Sequence, residues 1–98
     1  MNKVNFQGEE LTVKLGHYIT GGISIQLTDS DGMPYITATK NLLSKDLKDD
    51  EVHIKNYSEN DGILEALIIA GIIADTGRCT RSGFVILPIC KVLVKEEG

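Results

Sequence analysis

His17, His53, Cys79 and Cys90 are the four side chains of this chain that zinc would choose. No two of them fall within the two-to-five residue spacing that closed zinc sites use, so only a coincidence of folding would assemble them. They read instead as two small apolar residues in strands and two solvated histidines. Asp29-Ser-Asp-Gly32 has the look of part of a calcium loop, yet it lacks a third acid at the right offset and a distal glutamate. It reads as a hairpin turn. The glycines at 71, 77 and 83 open no helix and carry no Lys-Ser/Thr, so they form no phosphate cradle. Cys79 has arginines at 78 and 81, and cations lower a thiol pKa. Adjacent strand residues point to opposite faces, however, which weakens any Arg78–Cys79 nucleophile. The sequence therefore predicts no enzyme, no metal and no cofactor.

A stronger pattern is acidic. Asp46, Asp49, Asp50, Glu51, Glu59 and Asp61 cluster around the central connection, and Lys55 is the one base between Glu51 and Asp75. Such a cluster aids solubility, and it can also be presented to a basic partner protein, where complementary charge raises the association rate. The partner-binding set expected on this basis is Asp49, Asp50, Glu51, Tyr57, Glu59, Arg78 and Arg81, with Tyr57 as an aromatic anchor.

Ninety-eight residues make one domain, with 95–98 read as a frayed tail. With 42% hydrophobic and 24% charged residues the chain can support a folded core. Its net charge of −4 argues against direct nucleic-acid binding, which needs a basic stripe to neutralise phosphates. No apolar run approaches a membrane span, and the polar opening is not a signal peptide, so the cytosol is the expected compartment.

Alternation of apolar and polar residues predicts strands around Val4–Phe6, Leu11–Leu15, Ile23–Leu27 and the stretch after Met33. Asp31-Gly32 predicts a hairpin with Leu27 facing Ile36 and Ile25 facing Ala38. Pro34 belongs at an edge or an irregular strand start. Leu42, Leu43 and Leu47 allow a single helical turn in the polar connection. Val52 and Ile54 point inward from a short strand, with His53 opposite them. Ser58, or Asn60 as its rival, caps a helix over about residues 59–70 whose apolar circumference demands cover on most sides. Gly71 stops that helix. A strand over Thr76–Thr80 and a turn at Thr80-Arg-Ser-Gly83 lead into Phe84–Val94. That final strand is apolar on both faces, as a central one is, with a bulge or bend at Pro88. The fold class is α+β: a mainly antiparallel sheet of about six or seven strands with one buried helix on one face.

Several stretches carry a resemblance: Glu51-Val-His-Ile-Lys-Asn-Tyr-Ser-Glu-Asn-Asp-Gly-Ile-Leu-Glu-Ala-Leu67, Ala70-Gly-Ile-Ile-Ala-Asp-Thr-Gly-Arg78 and Gly83-Phe-Val-Ile-Leu-Pro-Ile-Cys-Lys91. Phe6-x-Gly-Glu-Glu10, Ile25-Gln-Leu27 and Pro34-Tyr-Ile-Thr-Ala-Thr39 extend it over nearly the whole chain. The chain resembles a group of short proteins of unknown function on conjugative and phage-related elements of gut-dwelling anaerobic bacteria. The resemblance implies a setting rather than a chemistry, since small acidic proteins of mobile elements are often interaction proteins, including inhibitors of host defence. The expectation is a non-enzymatic binding protein acting on a protein partner. A small-molecule or nucleotide-binding module is the second reading, and a homo-oligomer built through a sheet edge or face is the third.

Overall fold

A computed structural model describes residues 2–19, 21–42 and 47–95. The chain is an α+β fold of mainly antiparallel sheet with one short helix. Strands β1 (Lys3–Phe6), β2 (Glu9–His17), β3 (Ile23–Thr28) and β4 (Pro34–Thr37) form one sheet in sequence order. Strands β5 (Thr39–Lys40), β6 (Glu51–Ile54), β7 (Ile73–Ser82) and β8 (Val85–Val92) form a second, ordered β5-β6-β8-β7. Between β6 and β7 lie a 3-10 turn (Ser58–Asn60) and the helix α1 (Ile63–Ile69). The described strands number eight because the stretch 34–40, which reads as one strand, divides at Ala38 between two sheets.

Ala38 is the corner. Its N–H donates to the Ile25 carbonyl of the first sheet (2.9 Å), and its carbonyl accepts from the Lys55 N–H beside the second (2.8 Å). One strand thereby serves both layers, as at the corners of packed sheets. Thr39, the next residue, is buried, and its Oγ1 accepts from the Ile25 N–H (3.2 Å) and bonds the Tyr18 hydroxyl (2.8 Å). Asn60, also buried, donates through Nδ2 to the Thr37 carbonyl at 2.8 Å. The corner is thus pinned on both flanks by hydrogen bonds made away from water, where leaving them unmade is costly.

The hairpins follow their turn chemistry. β1 and β2 close over Gln7-Gly8, both at positive φ (52° and 78°), as a type I′ turn requires. Between β3 and β4 the loop is longer than a two-residue turn. Gly32 donates to the Asp29 carbonyl, and the Asp29 carboxylate accepts from the N–H groups of Asp31 and Met33. That loop alone would shift the register by one residue; a bulge after Pro34 restores it, and Leu27 faces Ile36 as the alternation predicts.

The helix starts later than its sequence suggests. Gly62 stands at φ 94°, a left-handed break that separates the 3-10 turn from α1. Neither Ser58 nor Asn60 caps it. Asn56 Oδ1 instead accepts from the N–H groups of Gly62 and Leu64, both at 3.1 Å. The C-terminus behaves as expected. Gly71 (φ 77°) donates to the Ile68 carbonyl and Ile72 to that of Leu67, the paired bonds of a Schellman stop, with Leu67 and Ile72 both in the core. α1 packs on β1 of the first sheet and β7 of the second. It buries Ile63 and Leu67, while Ile69 remains 78% exposed and Ile68 39%. The helix is therefore covered on one face only. The core between sheets and helix holds Val4, Phe6, Leu11, Ile25, Leu27, Val52, Ile54, Cys90 and Val92 besides these helical residues.

In β7 the register against β8 shifts at Thr76-Gly77, with Gly77 at φ 82°. Pro88, the expected bulge, pairs regularly with Cys79; the irregularity lies on the partner strand. Pro88 does mark where β6 leaves β8, since their pairing ends at His53 opposite Ile89 and proline offers no N–H to continue it. The leucine turn expected at 42–47 involves Leu43, which lies outside the described residues; Leu42 and Leu47 themselves are not helical. Asp46 and residues 96–98 of the tail also lie outside them.

Candidate interaction surface

The acids and bases expected to meet a partner are distributed differently from their order in sequence. Glu51 is buried at the start of β6, paired in register with Lys91, and Arg78 reaches it from β7 across β8. The Thr76-Gly77 bulge brings Arg78 level with Ile89, one diagonal step from Glu51 on the same face. The Lys48 N–H completes the carboxylate's shell at 3.0 Å. The Arg78 guanidinium, helped by that N–H, holds the Glu51 carboxyl below the usual glutamate range against the opposing effect of burial. Glu51 is therefore not a presented acid but half of a fixed ion pair.

Asp49 is exposed and Asp50 half-buried, with Lys91 Nζ 3.7 Å from the Asp50 carboxylate. Glu59 is exposed and pairs with Lys55, four residues earlier in the chain, at 3.4 Å. Lys55 Nζ also lies 5.7 Å from the centroid of the half-buried Tyr57 ring. Its own backbone N–H, and secondarily Lys55, lowers the Glu59 carboxyl. Exposed pairs of this kind contribute little to stability. The structure thus brings Glu51 to Arg78, and Glu59 and Tyr57 to Lys55, but it does not gather the seven residues into one surface.

The side chains with catalytic chemistry are dispersed. His17 ends β2 in solvent, Cys79 is exposed on β7, and Cys90 is buried in the core, where burial and then Asp75 push its thiol up to about 12. His53, expected in solvent, is 1% exposed. β8 runs beside it, Ile89 faces it, and its Nε2 bonds Thr80 Oγ1 at 2.9 Å. Strand alternation placed it correctly opposite Val52 and Ile54, but that face of the second sheet is covered too. Among the described residues no group of three or more His, Cys, Asp or Glu is placed to hold a metal ion.

Two concavities stand out among the described residues. A cleft of about 440 Å³ lies between the β2–β3 turn and the start of β6, with Tyr18, Lys40, Lys48, Asp49 and His53 in its wall. A shallower hollow of about 300 Å³ is lined by Tyr35, Thr37, Lys55, Glu59 and Asn60.

The feature that sequence reading missed is the end of the β7–β8 hairpin. Its turn is Gly83-Phe84, between the paired Ser82 and Val85, two residues later than predicted. Gly83 at φ 61° occupies the first central position, as a type II′ turn asks. Phe84 is consequently not a strand residue but the turn's second corner, and it is fully exposed. Ile86 is 55% exposed and pairs with the exposed Arg81 on the face that also carries Cys79. A glycine directly before an aromatic, at the centre of a run able to fold back on itself, was the available signal.

No protein-family model, no curated protein and no solved structure matches this chain. No helix among the described residues is long and apolar enough to cross a membrane.

Proposed function

We propose that this protein is a non-enzymatic binding module that acts by occupying a surface of another protein, and that the end of the β7–β8 hairpin is its contact element. The observation that carries the reading is Phe84, a fully exposed aromatic at the turn of the two-stranded β7–β8 arm, with Ile86 and Arg81 beside it. Aromatic and arginine side chains dominate the energetics of protein interfaces. Three polar groups are already engaged within the fold: Tyr18 with Thr39, Glu51 with Arg78 and His53 with Thr80. Resemblance to short proteins of mobile elements supplies the setting, in which the partner is a host or element-encoded protein of the cytosol.

A photo-crosslinking amino acid at position 84, with Glu10 as an exposed control position on the other sheet, tests this. A discrete adduct formed in bacterial lysate at position 84 and not at position 10, and weakened by Ile86→Ser, is the expected result. Equal labelling from both positions would sink the reading. The 440 Å³ cleft favours a second reading as a small-molecule module, since ligand sites span about 300–1,000 Å³. A ligand bound there raises the melting temperature, whereas a hairpin-tip contact leaves a small-molecule screen silent.

A further inference from the structure

The backbone of the same hairpin presents a second recognition element. Ser82 and Val85 bracket a two-residue turn, so they form a hydrogen-bonded pair. Antiparallel alternation then makes Thr80–Leu87 and Arg78–Ile89 hydrogen-bonded pairs, and Arg81–Ile86 and Cys79–Pro88 non-bonded ones. Proline fits the last assignment, because there it owes no N–H to β7. The N–H and C=O groups of Cys79 and Arg81 therefore point away from β8. β7 ends its sheet, and residues 75–79 and 81 are exposed. The strand offers an open ladder edge.

We propose that this edge, over residues 78–81, receives an extended acidic segment of a partner protein as an added strand, with a carboxylate set against Arg81 and an apolar side chain toward Phe84 at the turn. The proposal rests on the protein-binding reading above and names the partner's chemistry. Main-chain bonds supply affinity in such strand addition, and alternate side chains supply selectivity. Charge decides between occupants. A second copy pairing at this edge would bring Arg81 of one chain beside that of the other, Arg78 being paired with Glu51, and like charges on an edge oppose self-pairing. The chain's net −4 does not repel an acidic segment here, because salt screens charges beyond about 8 Å and Arg81 is local.

The test uses the whole chain and two short blocked peptides of alternating valine and threonine, one with a central glutamate and one with a central lysine. Amide hydrogen exchange is followed residue by residue. The glutamate peptide should slow the Cys79 and Arg81 amides by about tenfold or more, and the lysine peptide should not. Arg81→Glu should reverse that preference. Cys79→Pro removes an outward donor without touching the bonds to β8, and should abolish the protection while the melting temperature shows a folded protein. Equal effects of the two peptides, protection of the β1 or β4 edge instead, or no protection at millimolar peptide would overturn the proposal. A position-84 adduct whose partner leaves the Cys79 and Arg81 amides unprotected would overturn strand addition alone and leave the protein-binding reading standing.

Discussion

Thr39 shows how much one hydroxyl can carry. It satisfies the Ile25 N–H and the Tyr18 hydroxyl at the point where the chain passes between sheets. Thr39→Val keeps the shape and removes both partners, so it should cost about 1–3 kcal/mol, while Tyr18→Phe should cost nearer 1. Urea midpoints that shift at constant m-value would show this, and equal shifts for the two variants would contradict the central role of Thr39. Glu51 gives a pH signature. Its folded carboxyl ionises at lower pH than the unfolded one, so the ion pair stabilises the protein above the ordinary glutamate range and loses that effect as pH falls through the lowered value. Acid titration of stability below about pH 4.5 should be steeper for the native chain than for Glu51→Gln; identical acid limbs would mean that Arg78 contributes nothing.

At the level of elements, the helix is held by its ends. A Cβ at position 71 would meet nothing within 4 Å, so Gly71→Ala probes the left-handed backbone alone, at about 1–2 kcal/mol. Asn56→Ala removes the acceptor of two helix-start N–H groups and should cost about 0.5–2 kcal/mol. Ser58→Ala, the variant that the sequence would recommend, should leave the thermal midpoint nearly unchanged. The contrast marks what was legible. Gly71 could be read because a C-terminal stop is local, and the buried face of Ile63 and Leu67 could be read from its period. Asn56 could not, because a cap reaching over a 3-10 turn obeys no fixed spacing. The burial of His53 and Glu51 was likewise hidden: alternation says which face a side chain takes, not that a hairpin some thirty residues on lies beside it. Phe84 was misread for a smaller reason, a turn placed two residues early.

Over the whole molecule, the α+β class and its hairpins were legible, and the division into two sheets was not. Nothing local announces that Ala38 turns a corner, since Pro34 to Lys40 has the composition of one uninterrupted strand. The division has a measurable result. The Ala38 and Lys55 amides bridge the two layers, so they should exchange only with global unfolding, in one transition shared by far-ultraviolet and tyrosine signals. Early exchange at either amide would mean that the sheets open separately.

The shared strand also imposes an order in time. β1 to β4 pair neighbour with neighbour across short turns, whereas β6 must wait for β8, which arrives only after the helix and all of β7. Closing long intervals slows folding, so the first sheet should assemble early and the second should condense onto its far end. Leu27→Ala, in the early sheet, is then expected mainly to retard refolding, and Cys90→Ala, in the late one, mainly to hasten unfolding. The chevron arms of these two variants separate the possibilities, and the reverse assignment would place the nucleus on the C-terminal side of Ala38.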